Sequence, residues 1–508
     1  MNYTLNPGKL ALSRLQNPEL LVRECYVGGE WISGDGLKDV IDPGTLLQVF
    51  ETAQCGVGIV DICISHAEQA RLAWQARMPV DRGLILRKWA ILIRKNADDL
   101  AVIITVEQGK PLFEAKAEVE YGASFLDWFA AEGERALGQT VPSHKPNMFT
   151  TNYAQPVGIS LAITPWNFPL AMIVRKAGAA LAAGCPMIVK PAAETPLSAN
   201  ALAVLAAEAG VSSGVFQVIQ GDAPTLCAAL LKRPEIRALS FTGSTRVGQI
   251  LLKQAAKTVK RCSMELGGNA PFIVFEDANL EKAVQACMEA KFATSGQDCL
   301  AANRVYVHDR LHDEFVALLT REIGKLQIGY GLKEGTDIGP MTVAGTAVKC
   351  AKIVRDAVQK GAIIVQGQTP QNNTGNFVAP LLLTGVTDDM DISREEVFAP
   401  IVSVLRFDEV DKVIKRANDT EMGLAAYVFT ESMNTALWAS DALEYGMVAV
   451  NASSFTGPPL PFGGWKQSGL GREGSTLGIY EYLENKNVSF GGLTARPIVR
   501  TKEKEMAE

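Results

Sequence analysis

The chain has 508 residues, 47% hydrophobic and 20% charged, with a formal net charge of −6. That length exceeds what one hydrophobic core serves, so two or three domains are expected in an ordinary soluble globular protein. The acidic balance and the lack of a basic groove signature argue against nucleic acid as a partner.

In chain order, the start through Lys9 has no apolar core of signal-peptide length and its first basic residue comes late, so export is not expected and a cytoplasmic setting is. Residues 57–138 read as helices. Within them, 80–94 spaces apolar groups at i, i+3 and i+4 behind an Asp81 cap. From 155 onward β-rich runs at 157–163, 186–189 and 216–219 alternate with helical runs at 170–183, 198–209 and 224–231, the pattern of βαβ units and a parallel sheet. The most apolar stretch, 159–189, is interrupted by Pro165, Asn167, Pro169, Arg175, Lys176 and Pro186, so no membrane crossing is expected. The strand at 238–240 is followed by a helical run at 244–257. A second α/β series has strands at 272–275, 304–307 and 363–365, which sets a domain change near Gly267-Gly268. The last nine residues, 500–508, read as a charged, solvated tail.

Nine cysteines without CxxC pairs read as reduced thiols rather than a disulfide framework or zinc site. His308 and His312 are four apart, close enough to share a helix face, but no metal-ligand pattern surrounds them and no metal is expected.

Cys299 and Glu265 together suggest a thiol nucleophile and its general base, because a thiol needs a nearby base or positive field to attack at neutral pH. Alone, Cys299 reads better as a buried apolar cysteine and Glu265 as a surface helix residue. Asn167 offers a side-chain N–H₂ donor and the Cys299 backbone N–H a second, which could together form an oxyanion hole. The turn Thr242-Gly243-Ser244 opens a helix whose free N–H groups can face a pyrophosphate, although Gly243-x4-Gly248 is not the GxGxxG fingerprint and a plain strand-to-helix turn fits it too. Lys190 ends a short strand at the open sheet edge, where it can bind a ribose or phosphate oxygen or be a surface lysine.

Six motifs occur in order: 163–169 (ITPWNFP), 189–192 (VKPA), 241–248 (FTGSTRVG), 264–268 (MELGG), the run ending at Cys299, and 395–400 (EEVFAP). This order resembles the NAD(P)-dependent aldehyde dehydrogenase superfamily over nearly the whole chain. The runs at 175–178, 265–275 and 461–474 are most similar to its succinate-semialdehyde dehydrogenase branch. The resemblance implies an α/β architecture: a Rossmann-like cofactor domain (1–142 and 154–266), an α/β catalytic domain (267–484), and a small β-flap with tail (143–153 and 485–508) that builds a homodimer or homotetramer. It implies Cys299, Glu265 and Asn167 as catalytic residues. Cofactor contacts fall to Thr164, Trp166, Lys190, Ala193, Gly243, Ser244, Leu266, Glu396 and Phe398, and substrate contacts to Phe168, Arg175, Asp298, Phe455 and Phe462. Lys190 would hold the adenosine ribose, and Glu396 and Phe398 would position the nicotinamide; by themselves Glu396 reads as a helix-cap acid and Arg175 as a helix-surface charge.

The match has departures. Semialdehyde-oxidising relatives are similar in holding a distal carboxylate with two arginines; Arg175 occupies the first position, but Ala293 stands at the second. Ala399 replaces a usual glycine, and Ala301 replaces the second cysteine of redox-regulated relatives. Ala193 stands where NAD-preferring relatives place a glutamate that repels a 2′-phosphate, so NADP is expected to serve at least as well as NAD. The implied reaction is oxidation of a small-molecule aldehyde, a carboxylated semialdehyde foremost, to the free acid. Alternatives are an uncharged aryl or aliphatic aldehyde, CoA-acylating chemistry, which the base Glu265 disfavours, and a cofactor-free thiol hydrolase.

Overall fold

The computed structural model describes residues 6–371 and 375–493. An eight-stranded sheet has a parallel centre in which Phe216–Val218, Met187–Lys190, Ile159–Ile163, Ile236–Thr242 and Arg261–Glu265 lie side by side. In chain order this is a 3-2-1-4-5 arrangement, so the direction of winding reverses between Ile159–Ile163 and Ile236–Thr242, where open α/β sheets bind ligands beyond their carboxyl ends. Strands Ile159–Ile163 and Met187–Lys190 are buried along their whole length, as expected when helices cover both faces.

The helix Ala171–Ala183 is buried at every position and stops where Gly184 turns left-handed at φ 96°. Four helices, Gly58–Ala76, Pro79–Lys95, Ala97–Gln108 and Leu112–Glu132, wrap the sheet as the periodicity predicts. Asp81 is not the cap of its helix. Pro79 starts that helix two residues earlier because its fixed φ suits the first turn, and Asp81 lies inside that turn. The helix after Gly243 is Thr245–Ala255, with Ser244 as its cap.

Seven strands form the second sheet, in the order Ile363–Gln366, Leu381–Thr384, Ile401–Phe407, Ala302–His308, Ala270–Val274, Ala425–Phe429 and Met447–Val450, parallel except for the first. The Gly267-Gly268 link joins the last central strand of one sheet to the first strand of the other. The chain later returns: Gly469–Leu470 pairs with Arg261–Glu265 at the edge of the first sheet. His308 ends a strand and caps the helix Asp309–Ile323 that holds His312, so the two share no helix face. A three-stranded antiparallel flap is built from Gln139–Val141, Phe149–Pro156 and Leu483–Phe490, and its outer strand Gln139–Val141 is exposed throughout. The tail at 500–508 lies outside the described residues. Among the described residues no helix is long and apolar enough to cross a membrane.

Candidate active site

One cavity of about 610 Å³ collects most of the residues singled out above. Trp166, Thr242, Gly243, Ser244, Leu266, Glu396 and Phe398 line it together with Phe168, Arg175, Asp298 and Phe462, and Cys299, Glu265 and Asn167 share it. Thr242 and Glu265 are the last residues of first-sheet strands, whereas Cys299, Glu396 and Phe398 lie in loops that lead into second-sheet strands. The carboxyl edge of one sheet and the entering edge of the other therefore enclose a single space.

The loop carrying Cys299 is strained. Thr294 and Ser295 have φ of 50° and 57°, and Gly296 follows at 75°; non-glycine residues held this way cost on the order of 1–3 kcal/mol each and persist only where surroundings dictate them. Here the surroundings do. Glu114 accepts the Thr294 N–H at 2.8 Å, Ser295 Oγ accepts from Gly339 N at 2.9 Å, and Gln297 Oε1 accepts from Thr342 N at 2.9 Å. A Cβ on Gly268 would stand 2.3 Å from the Cys299 carbonyl oxygen, so only glycine lets the link between the sheets pass this close.

Asn167 Nδ2 donates to the Gln297 carbonyl at 3.0 Å, which uses one of its two hydrogens and leaves the other for an oxygen in the cavity. Its backbone is clamped from behind. Lys110 Nζ donates to the Asn167 carbonyl at 2.8 Å and to Glu118 Oε2 at 2.7 Å, while Glu118 Oε1 accepts the Leu170 and Ala171 N–H groups at 2.9 and 3.2 Å. Sequence reasoning does not single out Lys110 or Glu118; the only signal is a lysine in a Gly-Lys-Pro turn between helices.

Burial disfavours the charged form of both Glu265 and Cys299. Glu265 is 2% exposed and neither carboxylate oxygen has a partner; burial foremost, then Glu473, holds its carboxyl well above the usual range, against Arg175 and Lys176. Burial, then Asp298, Glu396 and Glu265, likewise pushes the Cys299 thiol up, and Arg175 opposes them. Arg175 lines the cavity as expected, but it is not a free guanidinium. Its Nε lies 2.6 Å from Glu473 Oε2, its plane covers the Phe462 ring at 4.2 Å, and its Nη1 has no partner. Lys176 completes the ion cluster with Glu473. Ala293 also lines the cavity and brings no charge. Phe455 does not line it: its ring packs edge-on against Tyr427, 5.2 Å between centroids, and the neighbouring Thr456 faces the space instead.

At the other end Trp166 meets Phe398 edge-to-face at 5.6 Å, and Phe398 is itself held at φ 55°. Glu396 Oε1 accepts the Gly268 N–H at 3.0 Å, and burial pushes its carboxyl up to about 7. Outside this cavity, at the carboxyl end of Met187–Lys190, Lys190 is 3% exposed and its Nζ donates to the Pro191 carbonyl at 2.8 Å. Burial lowers its pKa, and Glu194 is among the groups that oppose this. Thr164 Oγ1 is buried without a partner. A buried ammonium with no carboxylate bonded to it, an orphan hydroxyl and the capped start of Thr245–Ala255 surround the switch point, and these groups fit the phosphates and ribose of a dinucleotide. Ala193 is half-buried and Glu194 exposed. Among the described residues no group of three or more His, Cys, Asp or Glu is placed to hold a metal ion.

The chain is 50% identical to an aspartate-semialdehyde dehydrogenase (non-phosphorylating) of Halomonas elongata, over 95% of this chain and 98% of that one. It is 45% identical to a succinate-semialdehyde dehydrogenase [NADP(+)] of Escherichia coli, over 94% of this chain and 100% of that one. The crystal structure of an aldehyde dehydrogenase from Brucella melitensis biovar abortus superposes with a TM-score of 0.93 at 46% identity, covering 94% of this chain and 99% of that one. The model of the aldehyde dehydrogenase family matches residues 31–488. The chain belongs to the aldehyde dehydrogenase family.

Proposed function

We propose that the protein oxidises a carboxylated semialdehyde to the free acid with NADP or NAD as acceptor. The observation that carries this reading is that Cys299, Glu265, Asn167 and a guanidinium with an unpartnered Nη1, Arg175, face one cavity. Semialdehyde relatives support it, and the Escherichia coli relative is named for NADP(+). Lys190, Thr164, Ser244 and Glu396 would hold the dinucleotide, and Ala193 leaves room for a 2′-phosphate that a glutamate would repel. When bound, the nicotinamide supplies the hydride acceptor.

The chain's own groups do the rest. Glu265 accepts the Cys299 proton as sulfur attacks the aldehyde carbon, and the Asn167 amide and the Cys299 N–H receive the new oxyanion. Loss of hydride from that carbon leaves a thioester on Cys299. Glu265 passes that proton to solvent and, again a carboxylate, takes a proton from water; the resulting hydroxide attacks the thioester carbonyl, and the C–S bond breaks to release the acid while the Cys299 sulfur takes the proton back from Glu265. Arg175 Nη1 receives the distal carboxylate.

The division into a cofactor-binding unit (1–142 and 154–266) and a catalytic unit (267–484) belongs to this reading, with the exposed flap as the edge by which copies pair into a dimer or tetramer in the cytoplasm. The test is turnover of carboxylated, aryl and aliphatic aldehydes followed by absorbance of reduced nicotinamide, with Cys299→Ser beside the wild type. Cys299→Ser should keep cofactor affinity and lose aldehyde oxidation. More than a tenth of wild-type activity in that variant, or a preference for uncharged aldehydes, contradicts the reading.

A further inference from the structure

The charge on the cavity wall does not suit a substrate whose only ion is a carboxylate. Five carboxylates line it, those of Glu114, Glu118, Glu265, Asp298 and Glu396, against the single guanidinium of Arg175. Three of the five have work on the page: Glu118 is paired with Lys110, Glu265 is the base and Glu396 binds the Gly268 N–H. Glu114 and Asp298 remain, and among the described residues no cation forms an ion pair with either. Glu114 Oε1 accepts the Thr294 N–H at 2.8 Å, but its Oε2, shielded from solvent, has no partner at all. Asp298 Oδ1 accepts the Leu300 N–H at 3.0 Å, and the residue adjoins the nucleophile.

The two acids line the same cavity, and Asp298 is close enough to push the Glu114 carboxyl up. Lys110 acts on both, but its Nζ is already bound to Glu118 and the Asn167 carbonyl, and Arg175 is shared with Glu473. Burial pushes Glu114 up to about 7 and raises Asp298, the behaviour of carboxyls that lack a counter-ion. A buried carboxylate oxygen without a donor is a cost that a bound ammonium relieves.

We infer that the substrate is an aldehyde bearing both an ammonium and a carboxylate, with Asp298 and Glu114 receiving the ammonium and Arg175 the carboxylate. This rests on the semialdehyde reading above and sharpens it. Such a zwitterion brings no net charge into an acidic cavity, whereas a bare semialdehyde brings a negative one against a wall where Ala293 supplies no second cation. Asp298 precedes Cys299 in the chain and lines the same cavity.

Aspartate semialdehyde and succinate semialdehyde differ by that ammonium alone. The wild type should favour aspartate semialdehyde at least tenfold in kcat/KM, and the ratio should fall at least tenfold in Asp298→Asn and more modestly in Glu114→Gln. Because the ratio compares two substrates on one protein, any general loss of nucleophile reactivity cancels. A wild-type ratio at or below one overturns the inference while leaving the semialdehyde reading in place, and a ratio that neither substitution moves overturns it as well. Oxidation of uncharged aldehydes with neither semialdehyde turned over defeats the reading itself and the inference with it. Should a variant fail to accumulate, the wild-type ratio decides.

Discussion

Replacing Lys110 by methionine removes one member of a buried ion pair whose side chains are 0% and 1% exposed. Breaking such a pair from one side costs about 3–5 kcal/mol, because the surviving charge stays buried and uncompensated. Glu118 keeps the Leu170 and Ala171 N–H groups, so the lower end, about 3 kcal/mol, is expected. The same substitution frees the Asn167 carbonyl and removes the cation lying 4.0 Å from the Phe168 ring, which loosens the loop that aims the amide donor. Losing one oxyanion donor outright costs on the order of 10²–10³ in kcat, which bounds the catalytic effect. Denaturant midpoints and steady-state kinetics read the two effects separately. Adding Glu118→Gln should recover stability by removing the stranded charge, while kcat stays low because the loop is still unclamped. A Lys110→Met enzyme within about 1 kcal/mol of wild-type stability and within threefold of its kcat would refute the clamp.

Glu265→Gln removes the acceptor of both protons, so the burst of reduced cofactor should be slower than in the wild type and turnover should then stall as the acyl-enzyme accumulates; steady turnover with no acyl-enzyme accumulating moves that role elsewhere. Because burial holds the Glu265 carboxyl well above its ordinary range, its base form is lost as pH falls through that raised value, so acyl-enzyme hydrolysis should quicken with rising pH. A hydrolysis rate flat from mildly acid to mildly alkaline pH contradicts this. Ala193→Glu should swing selectivity toward NAD by more than about tenfold, roughly 1.4 kcal/mol, read as the ratio of kcat/KM for the two cofactors. An unchanged ratio removes Ala193 as the determinant.

The alternation of strand and helix between 155 and 274 was legible because each element carries its own period, and the structure follows it to within a few residues. Local chemistry also decides where the reading slipped. Pro79 outranks Asp81 as the start of a helix because it fixes the backbone, whereas an aspartate only accepts a bond. The candidate site was legible wherever a residue type and its immediate neighbours state a chemistry, as at Cys299, Glu265 and Asn167. What escaped are pairings made across long stretches of chain. Lys176 and its partner Glu473 are 297 positions apart, and Lys110 reaches Asn167 across 57. No local pattern marks either pair, since each depends on two elements being packed together before the charges can meet. Phe455 shows the converse: an aromatic beside a motif is as readily a packing residue as a pocket wall, and Tyr427 claims it.

The clamp, the ion cluster and the two unpaired acids bear on one question, namely how a thiol in so acidic a place becomes a nucleophile. Every carboxylate near Cys299 opposes its ionisation, and the one cation that favours it, Arg175, is already engaged by Glu473. Left alone, the cavity therefore keeps Cys299 as a thiol, the form that oxidants attack slowly, and Ala301 offers no resolving cysteine beside it. Positive charge is what the wall lacks. A ligand that brings an ammonium to Asp298 lessens the repulsion that this carboxylate, the first charge acting on the thiol after burial itself, exerts on a developing thiolate. In that arrangement the group that identifies the substrate also helps to ionise the nucleophile, so selectivity and activation come from the same side chain.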